Sequence, residues 1–346
     1  MDTAATNGAP AGAGPPPAPY GDGPPPPSAG GRTAVRFAAL LLLVPTVVIA
    51  CRLADTDAVT PVPQLLAFLP WMLVPAGAAL LIGLLARRRT FMAWAAAVLA
   101  LTGWFVRPYD TGLTDDPPGP VVAQLEVLTS NVEFGGATEA LVAAIRREQP
   151  DLVFVQECEY RCSEALEAEI SRTDYPYRNV VEGGGATGSA ILSKHPLRPA
   201  RGVPSTLAMP GSVAVIAGRD VNVQLAHPLP PVPGGMSLWH RELGRLRSFA
   251  AAAEGTPTVL AGDFNATQDH AAFRRLLDAG ALRDSATLAG AAHTPTWPAS
   301  VRRPLGTQID HVLVSEDFSV RDARFLDLPD TDHRSVLVRL ALHDVR

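Results

Sequence analysis

The sequence predicts an α/β fold class, a two-sheet α/β sandwich preceded by about three transmembrane helices. Residues 37–106 contain three long stretches without a charged side chain. From Val121 onward short β runs alternate with helical ones. Strands outnumber helices there and several are adjacent, which favours two stacked sheets over one doubly wound parallel sheet. Polar residues able to do chemistry recur at the strand ends.

The 346 residues are 47% hydrophobic and only 18% charged, too apolar for one uniform soluble domain. Residues 1–31 carry the proline runs 15–17 and 24–27 among Gly and Ala, the composition of a disordered tail. Residues 32–106 form the membrane region. Its uncharged stretches are Phe37–Cys51, Ala58–Ala86 and Thr90–Val106, of 15, 29 and 17 residues, against roughly 20 for a spanning helix. Arg36 and Arg52 can snorkel to the two interfaces, and Trp104 and Tyr109 extend the third stretch. The first stretch also has the length of a signal peptide, with Val48-Ile49-Ala50-Cys51 resembling a lipoprotein cleavage box, but two more apolar stretches follow it. Residues 107–120 are a linker with Pro108, Pro117, Pro118 and Pro120. Residues 121–346 are long enough to bury a full core without a disulfide framework.

Formal net charge is −5, and residues 1–120 balance at 7 basic and 7 acidic side chains, leaving 22 and 27 in residues 121–346. A general nucleic-acid footprint is therefore absent. Arg32 and Arg36 precede the first stretch and Arg87–Arg89 separate the second and third, whereas the other flanks hold Asp55, Asp57, Asp110, Asp115 and Asp116. The positive-inside rule then predicts a cytoplasmic N-terminus and an extracellular C-terminal domain in the cell membrane. Cys51, Cys158 and Cys162 are too few for a disulfide scaffold or a thiolate zinc site. Helical i,i+4 geometry is near the upper limit of a disulfide's Cα separation, so Cys158 and Cys162 are expected as unpaired thiols, with a bridge between them as the alternative.

Within the domain, Val121–Ser130, Asp151–Glu157, Ser189–Ser193, Val213–Ala217, Val221–Ala226, Thr258–Ala261, Ile309–Ser315 and Ser335–Leu342 read as strands. Glu139–Gln149, Leu238–Ala253 and His270–Ala279 read as helices. Asn131, Glu157, His227, Asp263 with Asn265, Asp310 with His311, and Asp332 with His333 stand at six strand ends. A polar residue at one strand end is ordinarily a turn former. Six such ends carrying carboxylates, amides and histidines, without a thiol or serine nucleophile signature, match metal-assisted hydrolysis: hard oxygen ligands for Mg2+, a base for water, and donors for a phosphate.

The sequence resembles the endonuclease/exonuclease/phosphatase superfamily, the fold of DNase I-like nucleases, inositol phosphatases and sphingomyelinases, over about residues 124–343. TSNV at 129–132, VQE at 155–157, GSAILSKHP at 188–196, AHP at 226–228, GDFNAT at 262–267, IDHVLVS at 309–315 and TDHRSVLV at 331–338 follow the family's motifs in order and spacing. With the preceding apolar spans and the HPLPP turn at 227–231, the chain is most similar to the VanJ-type membrane branch, associated with teicoplanin resistance and undecaprenyl pyrophosphate handling.

The resemblance implies that Glu157 is the principal ligand of Mg2+ (or Mn2+), with Asn131 beside it and Asp332 completing the shell. It makes Asp263 the group that orients or deprotonates the attacking water. Asn265 and His227 would hold phosphate oxygens, and His333, oriented by Asp310, would stabilise the developing charge. Glu133 stands where related nucleases carry an Asp near the metal; His311 and His195 read as a packed strand histidine and a turn residue. The implied function is an outward-facing, membrane-anchored metal-dependent phosphoric ester hydrolase. Its partners would be the lipid bilayer and a phosphorylated lipid-linked substrate. The alternative is an extracellular metal-dependent endo- or exonuclease, disfavoured by the acidic domain, although Arg241, Arg245, Arg247, Arg302 and Arg303 offer a local cationic patch. A catalytically dead binding module would have lost one of these residues, and none is missing.

Overall fold

The computed structural model describes Met1 and residues 29–109, 117–302 and 305–345. Residues 2–28 of the expected disordered tail, Asp110, Asp115, Asp116, Arg303 and the side chain of Arg32 lie outside the described residues, and residues 29–31 of that tail are helical instead. The first element among the described residues is helix α1 (Ala29–Leu53), whose Thr33–Leu53 portion is long and apolar enough to cross a membrane. The second apolar stretch does not form one span. Pro61, Pro63 and Pro70 lack the N–H that a continuous helix requires, and the stretch divides into a short helix α2 (Val62–Leu66), a 3-10 turn (Leu69–Met72) and helix α3 (Leu73–Leu85). Helix α4 (Arg89–Phe105) has 17 residues. At 1.5 Å per residue α3 and α4 reach about 20 and 26 Å, short of the roughly 30 Å hydrocarbon layer. Among the described residues one candidate membrane helix is found, which corrects the expectation of about three.

Helices α1, α3 and α4 pack on one another through Ala38, Leu42, Ala76, Ala79, Ala95 and Val98. Their small side chains let the backbones approach. On the outside the same bundle exposes Phe37, Leu40, Leu43, Leu81, Leu85 and Trp104. Aspartates beyond α1 that the sequence offered only as topological flanks turn out to be tertiary contacts. Asp55 pairs with Arg274 and Arg275, and Asp57 pairs with His240 at 3.0 Å while accepting the backbone N–H of Ala272.

The two-sheet sandwich is as the sequence predicts. The remaining elements are β1 (Val121–Asn131), α5 (Thr138–Glu148), β2 (Leu152–Gln156), α6 (Tyr160–Glu169), β3 (Tyr177–Val181), β4 (Ser189–Ser193), β5 (Leu197–Ala200), β6 (Gly211–Ile216), β7 (Arg219–Ala226), α7 (Met236–Ala253), β8 (Thr258–Asp263), α8 (Ala271–Ala279), β9 (Arg283–Asp284), α9 (Ser285–Leu288), β10 (Asp310–Val314), β11 (Phe318–Asp327) and β12 (Arg334–His343). One sheet has the order β11-β12-β1-β2-β4-β3, the other β5-β6-β7-β8-β10-β9. Leu125, Val127, Phe154, Val223, Val259 and Val338 close the core between them. Helix α5 puts Leu141, Val142 and Ile145 at helical spacing against the outer face of the first sheet, and stops where Gln149 turns left-handed ahead of Pro150. Helices α7 and α8 cover the second sheet with Trp239, Leu243, Leu246 and Phe273.

Cys158 and Cys162 form a disulfide, which corrects the expectation of unpaired thiols. Helix α6 begins only at Tyr160, so Cys158 lies in the turn before it, and the Cα atoms stand 5.1 Å apart, inside the usual range. For so short a loop the constraint on the unfolded chain is worth about 2 kcal/mol. Replacing both cysteines by alanine should lower the unfolding free energy by about that amount, read from the urea midpoint. Thiol titration of the unfolded, unreduced chain should find Cys51 alone.

Candidate active site

Sheet register brings the six strand ends together. Strands β1 and β2 run parallel with Asn131 opposite Gln156, so Glu157 emerges one step beyond. Strands β7 and β8 run parallel with Ala226 opposite Gly262, which sets His227 beside Asp263. Antiparallel β10 pairs Asp310 with Asp263 directly. Strand β12 is antiparallel to β1, and His333, just before it, arrives at the same edge. The backbone then turns sharply: Glu157 (φ 57°) and Asn265 (φ 48°) both adopt the left-handed conformation, at a cost of order 1–3 kcal/mol each that the surrounding structure must sustain.

Glu157 accepts hydrogen bonds from Asn131 Nδ2 (3.2 Å) and the Phe134 N–H (3.1 Å). The same Asn131 amide donates to Asp263 Oδ2 (3.2 Å), while Asn131 Oδ1 accepts the Glu133 N–H (3.0 Å). Asn131 thus turns its nitrogen to both carboxylates and ties them together; its oxygen becomes a metal ligand only if the amide rotates. Asp263 Oδ1 accepts the Asn265 N–H at 2.8 Å. Asn265 Nδ2 donates to Pro228 O (3.0 Å), anchoring the loop that follows His227.

Asp263 is fully buried. Desolvation, reinforced by the neighbouring Asp310, pushes its carboxyl up to about 7, against the opposing pull of His333 and the bonds from Asn265 and Asn131. Burial alone would depress His333. The negative charge of Asp310, whose Oδ2 lies 2.9 Å from Nδ1, and the carboxylates of Asp263 and Asp332 prevail and raise it to about 10. His227, buried and facing the positive His333, is held down to about 3 and stays neutral, with Nε2 3.7 Å from Glu157 Oε1. A base poised near neutrality, a fixed imidazolium and a neutral imidazole therefore share one cleft.

Asp332 joins at the rim. Its Oδ1 is 3.7 Å from His333 Nε2, its Oδ2 accepts Trp297 Nε1 at 2.8 Å, and its N–H donates to Glu133 Oε2. Glu133 therefore clasps the loop that carries Asp332. His311 points to the other face of β10, against Phe273 and within 3.2 Å of Asp284. Sequence reasoning missed Trp297 and Thr296, whose hydroxyl oxygen accepts the N–H groups of Ile309 and Asp310. Both lie in an irregular proline-containing loop with no periodicity to mark them.

The donor set suits a hard divalent cation. Glu157, Asp263, Asp310 and Asp332 supply oxygens only, and Asp310 Oδ1 is buried with no hydrogen-bond partner among the described residues. Asp263, Asp310 and His333 also lie close enough to hold an ion. With His333 protonated at neutral pH, however, that trio is an ion-pair cluster, and the free donors are the carboxylates toward Glu157.

Residues 128–333 match the Endonuclease/Exonuclease/phosphatase family. No curated protein matches the chain. Among solved structures, the chain is similar to an endonuclease/exonuclease/phosphatase from Beutenbergia cavernae DSM 12333 at 21% identity, covering 64% of this chain and 72% of that one with a TM-score of 0.51. It is also similar to an AP endonuclease from Archaeoglobus fulgidus at 18% identity, covering 64% of this chain and all of that one with a TM-score of 0.52. At these identities the likeness is one of fold.

Proposed function

The chain belongs to the Endonuclease/Exonuclease/phosphatase family, and from that premise we propose that it is a membrane-anchored, outward-facing, Mg2+-dependent phosphoesterase acting on a lipid-linked phosphate or pyrophosphate. A substrate of the undecaprenyl pyrophosphate type, and through it a part in teicoplanin resistance, follows from the VanJ-type resemblance. The observation that carries the reading is the position of the apolar bundle. The segment joining α1 to α3 lies against the domain at the catalytic edge, with Gln64, Ala67 and Phe68 lining one cavity together with Asn265 and His333. The disulfide beside Glu157 supports an oxidising, extracellular location for the domain.

In this reading Asp263 takes the proton of the attacking water. Asn265 and neutral His227 donate to phosphate oxygens, and the His333 imidazolium, held by Asp310, offsets the charge that develops on them. Glu157, with Asn131 and Asp332, would hold Mg2+, which supplies Lewis-acid polarisation of the phosphoryl group when bound. The test uses the full chain in lipid vesicles, with a polyprenyl pyrophosphate, a soluble phosphomonoester and plasmid DNA at equal Mg2+. Initial rates on the membrane lipid should exceed those on DNA, which an acidic domain repels. Efficient DNA cleavage without lipid turnover would overturn the reading in favour of a nuclease.

A further inference from the structure

We infer that the N-terminal segment is part of the substrate site: the cavity between residues 64–68 and the domain holds the hydrocarbon chain next to the phosphate. This rests on the phosphoesterase reading and deepens it. The cavity measures about 480 Å3, within the size range of small-ligand sites. Asn265 and His333 form its polar end, and these same residues face the reacting phosphate in the proposed function. Away from them the walls are mostly hydrocarbon and aromatic: Ala67 and Phe68 from the N-terminal segment, Pro231, Val232, Trp297 and Ile309 from the domain; Gln64, His270 and Thr307 also line it, each donating to a backbone carbonyl. A phosphate at the polar end would place whatever is esterified to it in this apolar space. A sugar or nucleoside would leave most of its hydroxyls without partners there, since Gln64 Oε1 is the one unpartnered buried side-chain oxygen among the described lining residues outside the polar end.

The wall is built deliberately. Thr267 donates its N–H to His270 Nδ1 at 2.8 Å, which fixes the proton on Nε2, and Nε2 donates to Pro63 O at 2.8 Å. Thr307 Oγ1 donates to Ala67 O at 2.5 Å, and Gln64 Nε2 donates to Pro231 O. Together with the Asp55 and Asp57 ion pairs, these bonds hold the segment against the domain on both sides of α2. Val74, the second residue of α3, is exposed on the bundle surface just beyond the 3-10 turn that follows Phe68. The chain-binding space thus lies at the domain-facing end of the apolar bundle, where a lipid tail would enter.

The test measures KM for methyl phosphate and hexyl phosphate with the full chain in lipid nanodiscs. Each methylene withdrawn from water strengthens binding by up to about fourfold, so hexyl phosphate should show a KM at least about tenfold lower. Ala67→Phe, which fills the cavity from the N-terminal side, and Val232→Asp, which charges its mouth from the domain side, should each bring the two KM values to within about threefold. Equal KM values in the unaltered chain, or a ratio that neither variant changes, would overturn the inference even if a polyprenyl pyrophosphate is hydrolysed. Failure to hydrolyse either alkyl phosphate or the polyprenyl pyrophosphate while DNA is cut would overturn the lipid-phosphate reading itself, and the inference with it.

Discussion

Asp263→Asn should lower kcat by at least about two orders of magnitude with little change in KM, the usual scale for losing a general base. The side chain is nearly isosteric, so its oxygen can still accept the Asn265 N–H. Its amide group would then meet Asn131 Nδ2, a second donor, until the Asn131 amide rotates to present Oδ1. What cannot be recovered is the carboxylate, whose burial and proximity to Asp310 poise it near neutrality. Circular dichroism and steady-state rates at saturating substrate make the comparison. A folded variant with kcat within tenfold of the unaltered chain would remove Asp263 from the proton-transfer step.

Asp310→Asn should move the whole pH–rate profile toward acid. Burial opposes the charged form of His333, and the Asp310 carboxylate is the main force keeping it protonated up to about 10. Without it the imidazolium is lost at lower pH, and activity at pH 9 should fall at least about tenfold relative to pH 7. Asp310 also raises Asp263, so the acid limb shifts in the same direction. Stability changes with the same sign. A histidine raised in the folded state contributes fully below its ordinary pKa of about 6.5, and that contribution disappears as pH rises through about 10. The variant should therefore lose stability less steeply over that window. Rates and urea midpoints between pH 6 and 10.5 test both statements; an unchanged alkaline limb would show that His333 does not act as a cation.

The central strands were legible in the sequence. Strands β2, β4, β8 and β10 are buried along their whole length, so their middles are apolar and their polar residues stand at one or both ends. Strands β3 and β5 sit at sheet edges and are largely exposed, and β11 alternates with charged residues such as Arg321, Asp322 and Arg324. Their pairing is a backbone matter, and little in their side chains marks it. Helix α6 was missed because its apolar face is only Cys162 and Leu166, one of them consumed by the disulfide.

The sequence by itself determined the sandwich and the eight polar residues that meet at one edge of it, because burial periodicity and strand-end chemistry are local properties. Tertiary structure alone decided how those residues are charged. The charge on His333, the neutrality of His227 and the poise of Asp263 depend on which carboxylates lie within a few ångström and how little water remains between them. Tertiary structure also decided the fate of the N-terminal region. Hydropathy counted three apolar stretches, but prolines broke the second, and Asp55, Asp57 and Pro63 found partners on α7, α8 and the loop before α8, more than 180 residues away along the chain. A contact between segments so distant has no local signature, since each half is an ordinary loop until the fold brings the other beside it.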